Sequence, residues 1–174
     1  MKKAVVFLAN GFEEIEALTA VDVLRRAGVV VDTVSVCEKQ VTGAHGIKVI
    51  ADKTEDDFNP DDYDAVVLPG GMPGAKILGE CKKVVGCAAT FDARHKIVAA
   101  ICAAPATVLG MNGLTEGRRV TCYPADQFVR VLEGATYTGE ELTVDGNLIT
   151  ANGPKAAMRF ALAICEKLGT EPTF

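Results

Sequence analysis

The sequence predicts an α/β fold in which a mainly parallel sheet is covered by helices on both faces. Short apolar runs typical of buried parallel strands alternate with segments whose apolar residues recur at helical spacing. Glycines or prolines follow several of these runs, as expected where a strand enters a turn. The 174 residues, 49% hydrophobic and 24% charged, suit one globular domain, and we expect residues 1–174 to form it.

In the first half of the chain, strands are predicted at 4–8, 29–36, 47–51 and 65–68, and helices at 13–27 and 76–93. The first helix has apolar residues at helical spacing, and Gly28 follows it as a stop signal. The acidic stretch at 52–64 is typical of a solvated loop. Glycines at 70, 71 and 74 require a tight turn or a close backbone approach after the fourth strand.

In the second half, strands are predicted at 97–101 and 120–123, and a short helix at 125–132. Alternating residues on either side of Asp145-Gly146 predict a tight hairpin over 141–150. A last helix begins near Pro154 and ends at Gly169, with five apolar residues on one face: Ala157, Phe160, Ala161, Ile164 and Leu168.

Cys102 ends the apolar strand at 97–101 and is followed by Ala103, Ala104 and Pro105. Proline suits the first turn of a helix, so Cys102 is expected on a sharp strand-to-helix turn resembling a nucleophile elbow. A helix N-terminus favours a thiolate, so a lowered pKa is expected for this cysteine. The alternative is a buried structural cysteine, since free cysteines are often buried.

Ligands bind beyond the carboxyl ends of the strands in open α/β sheets. That rule brings two other segments toward Cys102. The loop after the first strand supplies Glu16, or else Glu13 or Glu14, and the loop after the fourth supplies N–H groups around Gly70 and Gly71.

Neither histidine is expected to serve as the base for Cys102 within one chain. His95 precedes the strand that Cys102 ends, about 20 Å away at the usual rise per residue, and His45 sits in a separate turn. A Cys–Glu pair remains, in which the carboxyl keeps its proton because two adjacent anions repel each other. The alternative for Glu16 is a solvated helix glutamate.

Composition excludes several classes of function. A net charge of −5 argues against a nucleic-acid partner, and no apolar run is long enough to cross a membrane. The six cysteines are scattered without a CxxC pair or an export signal, so we expect reduced thiols and a cytoplasmic protein. Zinc is not expected from this cysteine pattern and two histidines. No phosphate-binding loop is present.

Three motifs together resemble the ThiJ/PfpI family, in particular its parkinsonism-associated deglycase and YajL-like branch. They are Asn10-Gly11-Phe12-Glu13-Glu14-Ile15-Glu16, Leu68-Pro69-Gly70-Gly71 and Ala99-Ala100-Ile101-Cys102-Ala103-Ala104-Pro105. The resemblance implies a flavodoxin-like three-layer sandwich, usually homodimeric. It also implies a reactive Cys102, a buried Glu16, and an oxyanion hole from the N–H groups of Gly71 and Ala103, with Gly70 beside them.

The sequence departs from the family pattern in three ways. Tyr123 stands where many members carry a histidine near the cysteine, which argues against a His-dependent protease or amidase. The chain ends at Phe174 without the extra C-terminal helix of close relatives, so a more open site is expected. His45 falls near the position of an arginine that reaches the partner subunit's site in relatives, so a contribution across a dimer is one interpretation.

Two functions follow from this resemblance. The first is a cofactor-independent, metal-independent glyoxalase or deglycase acting on methylglyoxal-type dicarbonyls or their early adducts. The second is a redox sensor, stress-protective protein or chaperone that works through oxidation of Cys102. Both use Cys102 and Glu16.

Overall fold

A computed structural model describes all residues from 1 to 174. Its main sheet has seven strands in the order β10-β11-β7-β6-β1-β2-β5, all parallel to their neighbours except β10 against β11. These strands are β1 (Lys3–Leu8), β2 (Val30–Ser35), β5 (Lys53–Thr54), β6 (Ala65–Leu68), β7 (Ile97–Ile101), β10 (Leu142–Asp145) and β11 (Leu148–Ala151).

Two small ribbons lie outside the main sheet. The hairpin β3 (Gln40–Thr42) and β4 (Lys48–Ile50) is antiparallel, whereas β8 (Arg119–Val120) and β9 (Thr136–Tyr137) are parallel. The five α-helices are α1 (Glu14–Arg26), α2 (Gly74–Glu80), α3 (Lys82–Ala93), α4 (Asp126–Val129) and α5 (Ala157–Leu168).

Alternate residues of the central strands point to opposite faces, so each face of the sheet buries its own apolar core. On one face α1 and α5 pack against β1, β2, β7 and β11; on the other, α2 and α3 pack against β1, β6 and β7. Strands β1, β6 and β7 are buried almost throughout. The predicted α/β fold with a mainly parallel sheet between helices is therefore confirmed.

Three predicted elements differ from the structure. The helix predicted at 76–93 is two helices, because Cys81 adopts an extended conformation between them. The helix expected after Cys102 is a five-residue π-helical segment, Pro105–Leu109, followed by a 3₁₀ turn. The strand predicted at 120–123 stops at Val120, because Tyr123 N–H instead donates to the Cys102 carbonyl at 2.8 Å.

The acidic stretch at 52–64, predicted as a loop, contains short regular elements. Lys53–Thr54 adds the edge strand β5, and two 3₁₀ turns follow at Glu55–Asp57 and Pro60–Asp62.

The order of the central strands determines where the functional loops meet, because β7, β6 and β1 are adjacent and parallel. The segments that leave their carboxyl ends therefore meet at one edge of the sheet.

Candidate active site

Cys102 lies on a sharp turn at the end of β7 with φ of 64°, in the left-handed region that few residues other than glycine occupy. Neighbouring backbone holds it there: its N–H donates to Ala151 O at 2.9 Å, and its carbonyl accepts from Tyr123. Cys102 is only partly buried, whereas Cys87, Cys122 and Cys165 are buried. The geometry matches the predicted elbow rather than a sealed core cysteine.

Glu16 is the carboxylate that the fold delivers to Cys102. It is 0% exposed on the first turn of α1, which excludes the solvated-glutamate alternative. Oε1 accepts the Gly70 N–H at 2.9 Å, while the buried Oε2 has no hydrogen-bond partner. Such a buried unpartnered oxygen is costly as part of a carboxylate and is better accommodated when it carries a proton.

Gly70 lies between the two side chains. A Cβ built on it would stand 2.6 Å from both Cys102 Cβ and Glu16 Oε1, closer than real Cβ contacts come. Only glycine therefore lets the thiol and the carboxyl share this space. The Gly70 carbonyl also accepts from Glu13 N–H at 2.9 Å, which joins the loop after β6 to the start of α1.

The electrostatics of Cys102 differ from the sequence-based prediction of a lowered pKa. Burial is the largest influence and raises the pKa of the thiol, and the adjacent Glu16 raises it further. The backbone N–H groups of Ala103 and Gly71 act in the opposite direction and lower it. The short π-helical segment does not outweigh burial and a neighbouring acid.

Burial also raises the pKa of Glu16, to about 7, and the charge of Glu13 adds to the shift. Contact with Cys102 and the Gly70 N–H lowers it. Since each negative charge of the pair opposes the other, the two groups share one proton over a wide pH range above neutrality. The raised pKa of the thiol favours the form with the proton on Cys102, whereas the two N–H groups at the sulfur and the unpartnered Oε2 act toward the form with the proton on Glu16.

The other two glutamates of the loop have structural partners. Glu13 Oε2 caps α1 by accepting the Glu16 N–H at 2.8 Å. Glu14 accepts N–H groups of His45 and Ile47, which fixes the β3–β4 turn. The alternatives that placed Glu13 or Glu14 against the sulfur are therefore wrong.

His45 is mostly exposed, and its Nδ1 lies 3.0 Å from Glu14 Oε1 and 3.7 Å from Glu13 Oε1. The ligand atoms of these three residues lie within 4.8 Å of one another. Glu14 is already engaged by backbone donors and Glu13 caps a helix, so this cluster is explained as a loop anchor. Within one chain, the His45 side chain contacts Glu14 and not Cys102.

Tyr123 is brought to Cys102 through its backbone. Tyr123 is 45% exposed, and its ring packs edge-on against Phe128 and borders a cleft formed with Pro124 and residues 152–155. The sequence predicts a site position for Tyr123 but not for the rest of this cleft, since only the pairing of β7 with β11 places residues 152–155 beside the elbow.

The family model described as the DJ-1/PfpI family matches residues 2–167. This chain belongs to the DJ-1/PfpI family. Protein DJ-1 homolog B of Arabidopsis thaliana is 39% identical over 170 residues, which cover 96% of this chain and 38% of that protein. The chain thus spans about two fifths of that relative's length.

Solved structures of the DJ-1/PfpI family superpose closely on this chain. Drosophila melanogaster DJ-1beta has a TM-score of 0.90 at 37% identity, covering 96% of this chain and 90% of that chain. Oxidized Toxoplasma gondii DJ-1 has a TM-score of 0.88 at 35% identity, covering 97% of this chain and 91% of that chain. The predicted family and its α/β sandwich are confirmed. No helix in the structure combines the length and apolarity needed to cross a membrane.

Proposed function

We propose that this DJ-1-like protein is a cysteine-dependent glyoxalase or deglycase that acts on methylglyoxal-type dicarbonyls or their early adducts. The observation that carries the proposal is the pairing of a partly exposed Cys102 with a fully buried Glu16 around Gly70. A thiol and a carboxyl that share one proton supply both a nucleophile and a proton carrier.

The first step uses the form with the proton on Glu16. The Cys102 thiolate attacks the aldehyde carbon of methylglyoxal, forming a C–S bond, and the N–H groups of Gly71 and Ala103 stabilise the negative charge on oxygen. One such donor commonly contributes about 3 kcal/mol. Glu16 then gives its proton to that oxygen, which yields a hemithioacetal and a Glu16 carboxylate.

The Glu16 carboxylate next removes the proton from the former aldehyde carbon and returns it to the adjacent ketone carbon. The hydroxyl proton moves between the two oxygens through solvent, so the product is a lactoyl thioester. Water adds to the acyl carbon while Glu16 accepts a water proton and the Cys102 thiolate leaves. The aldehyde carbon has been oxidised and the ketone carbon reduced, and the lactic acid formed releases one proton to solvent to give lactate.

The test is lactate formation by purified protein incubated with methylglyoxal. Cys102→Ser is expected to lower the rate by at least about a hundredfold, since serine lacks an ionisable thiol. Cys37→Ser removes an exposed cysteine away from the site and serves as the matched control. Equal rates from wild type and Cys102→Ser would rule the proposal out.

A second candidate function is redox sensing through the same sulfur. Cys102 is accessible, has backbone donors at the sulfur, and adjoins a carboxyl able to hydrogen-bond an oxidised product. Toxoplasma gondii DJ-1 has been crystallised in an oxidized form, which supports this alternative.

Mass spectrometry after mild peroxide treatment tests the redox alternative. A gain of two oxygens confined to Cys102 supports it. Cys37, which is exposed and not paired with a carboxyl, is the internal comparison. Oxidation spread over all six cysteines counts against a dedicated sensor.

We also propose that residues 1–174 form one domain and that two copies associate in the cytoplasm, as the family resemblance implies. Exposed apolar side chains on α1 and α5, namely Ile15, Met158 and Leu162, support an association face. A sedimentation mass of one chain at micromolar concentration would argue against the dimer.

A further inference from the structure

The cleft lined by Tyr123, Pro124 and residues 152–155 is built from segments that are hydrogen-bonded to the backbone of Cys102, which is not itself a lining residue. Cys102 N–H donates to Ala151 O at 2.9 Å, and the Cys102 carbonyl accepts from Tyr123 N–H at 2.8 Å. Asn152 to Lys155 follow Ala151, and Pro124 follows Tyr123. Together they enclose about 410 Å³, enough for a small metabolite. A molecule in this cleft would therefore lie against the two segments that are hydrogen-bonded to the backbone of Cys102.

Three polar side chains of the cleft have no hydrogen-bond or ion-pair partner within the chain: the Tyr123 hydroxyl, the Asn152 amide and the Lys155 ammonium. The nearby Arg159 is different, because Glu141 pairs with it at 2.8 Å. Lys155 is thus the free cation at this edge of the cleft. A few uncommitted polar groups beside a reactive centre are the usual feature by which a small-molecule site orients its ligand.

The charge of the site explains why a cation matters here. The Cys102–Glu16 pair carries one shared negative charge above neutral pH, and the whole protein carries a net charge of −5. A neutral dicarbonyl is not repelled by this negative charge. An anionic substrate would be repelled unless a positive group faced it, and Lys155 is the unpaired cation of the adjoining cleft.

We propose that Lys155, with Tyr123 and Asn152, binds a carboxylate on the substrate, so that the preferred substrates are 2-oxoaldehydes bearing a carboxylate. This inference rests on the proposed function and narrows its substrate class. For 4,5-dioxopentanoate the reaction is the one written for methylglyoxal. One water is added, the aldehyde carbon becomes a carboxylate and the ketone carbon a secondary alcohol, giving 2-hydroxyglutarate.

The first experiment needs no turnover. Iodoacetate and iodoacetamide are similar in size but differ by one negative charge, and peptide mass spectrometry gives the alkylation rate of Cys102 by each. Lys155→Gln is expected to lower the iodoacetate-to-iodoacetamide rate ratio by about 1.5- to fivefold, the scale of one exposed charge pair. Lys167→Gln removes a lysine from the groove at the opposite edge of the sheet and is the charge-matched control.

The second experiment compares 4,5-dioxopentanoate with methylglyoxal as substrates. Lys155→Gln is expected to lower the ratio of their kcat/KM values by a similar factor, through KM of the anionic substrate. The inference is overturned if both ratios are unchanged, or if Lys167→Gln lowers them as much. Charge-selective alkylation without turnover of either oxoaldehyde rejects the proposed function but retains the carboxylate preference of the cleft.

Discussion

The backbone N–H of Gly70 donates to Glu16 Oε1 at 2.9 Å, and this bond sets the orientation of the only acid beside Cys102. It joins the loop after β6 to the first turn of α1, so the position of the carboxyl depends on the sheet. Oε1 accepts this bond while Oε2 is buried without a hydrogen-bond partner, so we expect Oε2 to be the oxygen that exchanges a proton with the sulfur.

Glu16→Gln should simplify the titration of the site. In the wild type the pair loses one proton near pH 7 and the second at high pH, because the first charge opposes the second. Glutamine cannot ionise, so the variant should show one step, below the upper step of the wild type. The rate of Cys102 alkylation by iodoacetamide against pH measures both profiles. A one-step wild-type profile with the same midpoint as the variant would contradict the shared proton.

The raised pKa of Glu16 also predicts how stability depends on pH. Its folded-state pKa of about 7 lies above the ordinary value of 4.5, so its contribution is fully present below pH 4.5 and is lost as pH rises through 7. The Gln variant lacks this loss. Relative to wild type, it should gain up to about 3 kcal/mol in free energy of unfolding between pH 4.5 and 8. Urea denaturation at several pH values in this range measures the free energy of unfolding. If wild type and variant show the same pH dependence, Glu16 does not titrate there.

Gly70→Ala should disrupt the site through one methyl group. The new Cβ would lie 2.6 Å from Cys102 Cβ and Glu16 Oε1 and 3.0 Å from the Ile101 carbonyl, so backbone must move. We expect a loss of about 1–3 kcal/mol in stability, typical of overpacking, and of most methylglyoxal activity.

Gly86→Ala is the matched control for that substitution. Gly86 lies within α3, and a Cβ there meets nothing within 4 Å. Alanine is the better helix former, so this variant should be more stable by up to about 1 kcal/mol with activity retained. Thermal denaturation and the lactate assay compare the stability and activity of the two variants. Similar losses in both would contradict the special role of Gly70.

The sequence predicts the elements near Cys102 well because their signals are local: an apolar run, small residues and then proline. Spacing alone does not predict which glutamate reaches the sulfur, because Glu13, Glu14 and Glu16 are close in sequence and differ only in the loops they contact; the family resemblance is what implies Glu16. The cleft at Lys155 depends on the pairing of β11 with β7, a long-range contact. The direction of the Cys102 pKa shift depends on burial, which motif spacing does not specify.

His95 gives a prediction about stability that is independent of the chemistry. It has φ of 57° just after α3, where its N–H donates to Asp92 O at 3.1 Å and the following Lys96 N–H donates to Phe91 O at 2.8 Å. This is the helix-ending position at which glycine is favoured, since other residues are strained there. His95→Gly should raise the free energy of unfolding by about 0.5–1 kcal/mol, the difference that remains after glycine's greater unfolded-state entropy. Thermal denaturation tests this expectation.

The His95→Gly variant should leave the chemistry of the site unchanged, because β7 separates His95 from Cys102. The pH profile of Cys102 alkylation should therefore be the same in the variant. A shifted profile would reveal a coupling along the strand that the structure does not provide.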